Sequence, residues 1–206
     1  MDVFWILMDI KKKFNAKLKI VNKKFTGKLP KKIILPNVIT LRYEGLFDLD
    51  GLYAAIVDWC KNYGYRWHEK SYKHKVPSPK GAEQEFIWTM DKDVTDFVSY
   101  NVTIDAHIWD MLEVQVDVGG KQKILSNARI EITIKGTVNF DWQKKFKGSE
   151  VKEFAYNLYT NVMRRELEVT YIDQLWYRMY NLQAIMKKYF DMQSKHHAYK
   201  GYLGDN

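Results

Sequence analysis

The stretch VSYNVTIDAHIWDMLEVQVDVGGKQKILSNARIEITIKGTVNF, residues 98–140, decides the fold. Val98, Tyr100, Val102, Ile104, Ala106 and Ile108 alternate with Ser99, Asn101, Thr103, Asp105 and His107. That is the period-two pattern of a strand with one dry face and one wet. Leu112, Val114, Val116 and Val118 carry the alternation on against Glu113, Gln115 and Asp117, and Gly119-Gly120 supplies a tight turn. The chain returns through Lys121–Leu125. Ala128, Ile130, Ile132, Ile134, Gly136, Val138, Phe140 and Trp142 then line one face of a long strand, opposed by Arg129, Glu131, Thr133, Lys135, Thr137, Asn139 and Asp141. Strands joined so tightly are antiparallel.

Working upstream, Tyr65–Val76 and the segment near Glu83–Met90 read as two further strands, separated by a turn at Pro77-Ser78-Pro79-Lys80-Gly81. A β-rich run from Val38 to Tyr43 leads into a helix whose face carries Leu49, Leu52, Tyr53, Ile56, Cys60 and Tyr63, with Asp48 as its N-cap and Gly64 ending it. Downstream, Ser149 caps a helix that would turn Val151, Phe154, Ala155, Leu158 and Val162 inward. A last helix carries Ile172, Leu175, Trp176, Met179, Leu182, Met186 and Phe190. Tyr177 and Tyr180 beside that stripe, and Trp109 on the polar face of its strand, read as core edges, with a partner or homo-oligomer surface as the competing reading.

The pattern predicts an α+β fold: an antiparallel sheet of about six to seven strands, with one N-proximal helix and two C-terminal helices on one face. With 206 residues, 46% of them hydrophobic, the chain can bury one core. The body spans residues 37–193, after a basic segment 1–36 and before a polar tail 194–206. The element order over residues 38–192 resembles helix-grip proteins of the START and polyketide-cyclase type. That resemblance implies a sheet wrapped around the long C-terminal helix, and the alternative arrangement and function is a helix-grip-like carrier or enzyme holding an apolar small molecule between them.

Charge is segregated. Residues 1–43 hold ten lysines and Arg42 against Asp2 and Asp9, a net +9; since the whole chain is +8, residues 44–206 sum to −1. Val3, Leu7, Ile10, Phe14, Leu18, Val21 and Phe25 recur at helical spacing, although Lys17-Leu18-Lys19-Ile20 alternates as a strand would, so residues 17–25 fit either form. The apolar run Val3–Met8 is too short to cross a bilayer, which takes about 20 residues. Its lysines follow the run and no cleavage site comes after, so no export signal is expected. The segment suits an interfacial helix, with Phe4, Trp5 and Leu7 as apolar anchors and Lys11, Lys12, Lys13, Lys17, Lys23 and Lys24 as contacts to an anionic surface. Membrane headgroups lead; RNA or a ribonucleoprotein follows, because the same lysines could track phosphates. The expected protein is a non-enzymatic binding or adaptor domain, cytoplasmic or peripheral to the inner face of the membrane.

A second cationic feature lies on the hairpin. Arg66, Lys70, Lys73 and Lys75 interleave with Trp67 and Tyr72, a mixture that can meet phosphates and stack bases; an edge strand guarded by lysines gives the same sequence.

No catalytic residue, cofactor or metal is expected. Cys60 falls on the buried face of its helix, and one cysteine forms no internal disulfide. Leu46-Phe47-Asp48-Leu49-Asp50-Gly51 is similar to the first motif of haloacid dehalogenase phosphatases, but Arg42-Tyr43-Glu44-Gly45 precedes it where a buried parallel strand should end, and an N-cap accounts for Asp48. No two histidines lie at the i, i+4 spacing of a hydrolytic zinc motif; His68 and His74, six residues apart on a strand, are about 20 Å apart. Finally, Tyr43-Glu44-Gly45-Leu46-Phe47-Asp48, Gly64-Tyr65, Tyr72-Lys73-His74-Lys75 and Gly81-Ala82-Glu83 resemble proteins of small-genome archaea over residues 43–190, which implies an archaeal-type cytoplasmic setting.

Overall fold

The structure is a computed structural model that describes residues 29–78, 81–118 and 121–192. In chain order it contains β1 (Lys32–Ile34), β2 (Ile39–Phe47), α1 (Leu49–Asn62), β3 (Arg66–Ser78), β4 (Gly81–Asp93), β5 (Val98–Val118), β6 (Lys121–Phe140), α2 (Glu150–Val162), α3 (Arg164–Leu167), a π-helical stretch Glu168–Ile172, and α4 (Asp173–Tyr189). The fold is α+β. Its six strands form one antiparallel sheet in which β3, β4, β5 and β6 lie side by side, while β1 and β2 follow each other along the outer edge of β6. The short strand β1 was not expected: with Leu29 and Leu35 buried on either side of it, the packed body begins before residue 37.

The dry faces are those that the alternation predicts. Val98, Val102, Ile104 and Ile108 of β5 and Ile132, Ile134 and Val138 of β6 are almost wholly buried. Against them α4 lays Leu175, Met179, Leu182 and Met186, spaced as one face of a helix. Each such side chain contributes about 1.5–3 kcal/mol by leaving water. Gly136 marks the closest approach: a Cβ there would collide with Met179 Sδ and lie 2.7 Å from Leu35 Cδ1. The contact between sheet and final helix is therefore filled by side chains. On the same face α1 buries Leu52, Ile56, Trp59 and Cys60.

Four details depart from the sequence reading. First, β5 takes an extra residue at Asp110–Met111, where Asp110 has φ +55°. A bulge reverses the pleat beyond it. Leu112, Val114 and Val116 consequently leave the dry face, and Leu112 is 51% exposed. Second, β3 continues through Pro77 to Ser78; it is the edge strand, where a missing N–H need not break the ladder. Third, α2 presents the opposite face. Val151, Phe154, Leu158 and Val162 are exposed and Tyr156 and Thr160 are buried. Helical periodicity marks a stripe without naming what it meets, and here Tyr156 does the docking: its hydroxyl donates to the Leu29 carbonyl at 3.2 Å and its ring lies 5.9 Å from Phe97. Fourth, the last two helices are joined, α3 passing through the π-helical stretch into α4 without a break.

No helix among the described residues is long and apolar enough to cross a membrane.

Candidate functional site: an aromatic cleft beside the first helix

The alternation Gln84, Phe86, Trp88, Met90 aims these side chains of β4 at the helix side of the sheet. Partners from β3 extend them into a row. Tyr72 stacks on Phe86 at 5.0 Å, Phe86 meets Trp88 at 5.1 Å, and Trp88 meets Trp67 at 5.5 Å. Tyr53 of α1 stands edge-on to both tryptophans, at 5.8 Å and 5.5 Å. Edge-on and offset contacts of this kind match the negative faces of the rings to their positive edges.

Beside this row a cleft of about 260 Å³ opens between the first turn of α1, the row itself and the overhanging end of the β5–β6 hairpin. Leu49, Phe86, Met111 and Ile124 give it apolar walls; Gln84 and Ser126 are its buried polar groups, and Asp48, Asp50 and Glu113 make the rim acidic. Trp88 lines the cleft with only 2% of its surface exposed, and its indole N–H has no acceptor among the described residues. A buried donor left without a partner costs about 1–3 kcal/mol.

Asp48 fixes the mouth. It caps α1 by accepting from the Gly51 N–H at 3.0 Å and ties the helix to the hairpin by accepting from Lys123 Nζ at 2.5 Å. Burial opposes its ionisation, but the hydrogen bonds from Lys123 and Gly51 outweigh it and hold the carboxyl below the usual range. The sequence reading of Asp48 as an N-cap is thus what the structure contains.

The basic hairpin residues are divided by the pleat of β3. Trp67 and Tyr72 face the aromatic row, whereas Arg66, Lys73 and Lys75 face the opposite side of the sheet and are ion-paired with Asp93, Glu85 and Glu83. Lys70 sits at an irregularity between Glu69 and Ser71. Trp67 and Tyr72 therefore lie on one face of this edge strand and the ion-paired Arg66, Lys73 and Lys75 on the other. Phe4, Trp5, Leu7, Lys11, Lys12, Lys13, Lys17, Lys23 and Lys24 lie outside the described residues, as do Gly119, Gly120 and the tail from 193 onward.

On the outer face Glu83, Glu85 and His107 converge with ligand atoms within 4.8 Å of one another. Their charge is already met: Lys75 and His107 reach Glu83 at 2.8 Å and 2.6 Å, and Lys73 reaches Glu85 at 3.1 Å. Hydrogen bonds from Lys75 and His107 lower the Glu83 pKa, and one from Lys73 lowers that of Glu85. Cys60 is buried, its thiol 3.4 Å from the Tyr65 carbonyl, and burial pushes its pKa up to about 11. A neutral thiol so placed is a poor nucleophile.

Sequence reasoning missed Tyr53, Phe86 and Trp88 as a group. The spacing of Phe86, Trp88 and Met90 shows that they share a face; the pairing with Trp67 and the approach of Tyr53 depend on tertiary register. Compared with known proteins, the chain matches no family model and no curated sequence.

Proposed function

We propose that the protein is a binding module that holds a small, flat, predominantly apolar molecule in the cleft beside α1. The unpartnered indole N–H of Trp88 carries this reading, because a ligand with a carbonyl or ether oxygen would satisfy it while its ring lay among Phe86, Tyr53 and Leu49. The acidic rim favours neutral or cationic ligands over anions. The reading follows the apolar-carrier alternative in kind but moves the ligand from the final helix, where side chains fill the contact, to the first.

The Trp88 indole N–H resonance tests it. Titration with a library of small aromatic ketones, lactams and ethers should yield compounds that shift this signal saturably, and Trp88→Phe, which keeps an aromatic side chain and loses the donor, should weaken their binding about tenfold as followed by the backbone amides of Gln84 and Phe86. Absence of any saturable shift at millimolar ligand would sink the reading.

A second reading concerns the N-terminus, as an anionic-surface docking segment. Its support is the segregation of charge: in the body Arg66, Lys73, Lys75, Lys123, Arg129 and Lys135 each have a carboxylate partner, and of the eleven cations in residues 1–43, Lys31 and Arg42 meet Asp141 and Glu131. Binding to anionic vesicles and to RNA, each at low and at about 1 M salt, separates the partners. Phosphate tracking vanishes at high salt, while insertion of Phe4, Trp5 and Leu7 leaves residual vesicle binding. No binding to either at low salt would dismiss the docking segment.

A further inference from the structure

At the other end of α1 the structure holds a positive charge with no carboxylate partner among the described residues. Arg178 of α4 lies with its guanidinium 5.5 Å from the Tyr63 ring and 5.9 Å from the Tyr100 ring. Its Nη1 and the Tyr65 hydroxyl are both buried and make no hydrogen bond of good geometry among the described residues, and the guanidinium acts on that hydroxyl as a nearby donor and charge. The three arginines on the sheet, Arg42, Arg66 and Arg129, each meet a carboxylate at 2.7 Å or less, and Arg178 meets none among the described residues.

A second cation comes from the sheet. Lys92, at the end of β4, donates to the Tyr63 carbonyl at 2.6 Å and lies 5.7 Å from the Tyr65 ring, also with no carboxylate partner among the described residues. Burial, with the nearby charge of Arg178 second, lowers its pKa. Two cations drawn together around tyrosine rings are each stabilised by the ring faces, but their mutual repulsion and desolvation favour an anion between or beside them.

A space for it exists. A groove of about 440 Å³ runs between the end of α1 and the start of α4, lined by Tyr63, Val169, Gln174, Arg178 and Asn181, with Asp173 as its one carboxyl. Burial raises the pKa of Asp173. The π-helical stretch contributes Val169 and Thr170 to the groove, and its Tyr171 carbonyl accepts from the Tyr100 hydroxyl at 2.9 Å. Such widened turns frequently mark functional sites.

We infer that Arg178 is the receptor for a small oxyanion, a phosphate or carboxylate group entering the groove beside the π-helical stretch, with Lys92 as the supporting cation. The planar fork of a guanidinium suits bidentate contact with either group. The site is separate from the aromatic cleft: the two lie at opposite ends of α1, one at Asp48 and the other at Tyr63.

The test is titration of the full-length protein with inorganic phosphate and, separately, with acetate, at ionic strength fixed by chloride, following the backbone amides of Tyr63, Gln174 and Asn181. A saturable response is expected, about tenfold weaker in Arg178→Gln, less weakened in Lys92→Gln, and largely retained in Arg178→Lys for phosphate. Amide spectra of each variant establish that it is folded. The arm that saturates at lower concentration tells phosphate from carboxylate. A response that rises linearly with either anion, or one left unchanged by Arg178→Gln in a folded variant, overturns the assignment.

Discussion

The Asp110 carboxylate accepts two hydrogen bonds from the Arg129 guanidinium, at 2.7 Å and 3.0 Å, at the very point where β5 takes its extra residue. The pair holds the bulge in place, and Gly81 seats the start of β4 on it: a Cβ at Gly81 would lie 2.5 Å from the Asp110 carbonyl carbon. Asp110 has φ +55°, a conformation that β-branched residues strongly avoid. Asp110→Val should therefore lower the urea midpoint by the equivalent of about 1–3 kcal/mol, and Asp110→Gly by much less. Equal losses from the two substitutions would show that the ion pair, not the backbone, sets the bulge.

Gly136 makes a sharper demand. Because a methyl group there meets Met179 Sδ and Leu35, Gly136→Ala should cost about 1–3 kcal/mol by thermal or urea unfolding, although alanine is otherwise compatible with a strand. A variant as stable as the parent would mean that α4 can slide on the sheet.

Helix α2 offers a contrast between neighbours. Phe154→Glu and Leu158→Glu alter exposed positions and should change stability by less than about 0.5 kcal/mol. Tyr156→Phe removes one hydroxyl that is bonded to the Leu29 carbonyl, and should cost about 1 kcal/mol. The reverse order would restore the inward orientation expected from the apolar stripe alone.

The buried thiol of Cys60 gives a pH signature. Its pKa rises on folding from 9.0 to about 11, so at pH values between these the native state holds a proton that the unfolded chain has lost. Stability from this group is complete below about pH 9 and declines as pH climbs toward 11. Urea unfolding across that window should show a steeper decline for the parent than for Cys60→Ala, and a thiol reagent at pH 8 should label the native protein only on the timescale of unfolding. Rapid labelling in native buffer would place the sulfur near solvent.

Much of the fold is legible in the chain because period-two alternation over residues 98–108 and 128–140 needs no knowledge of the rest: a half-buried strand imposes it locally. Asp48 was legible for the same reason, a cap being a contact over three residues. What escaped depends on residues distant in sequence. Periodicity cannot show that the pleat reverses at Asp110, since the even-numbered apolar residues simply continue past it. Nor does it show whether Phe154 or Tyr156 of α2 meets the body, because that choice rests on Leu29 and Phe97. The aromatic cleft lay between these cases: Phe86 and Trp88 were visibly on one face, while Tyr53 had to be brought to them by the packing of α1. Arg178 was invisible altogether, since only the missing carboxylate distinguishes it from any helical arginine.

Past Met111 and Phe47 strands β5 and β6 run on with no third strand beside them among the described residues. The amide protons of this part should therefore exchange with deuterium through openings far smaller than global unfolding, while those of Trp88 and Met90, flanked on both sides, exchange with the core. Lys123 and Ile124 belong to the two-stranded part and Trp88 to the part flanked on both sides, so the two walls of the cleft should differ in exchange rate.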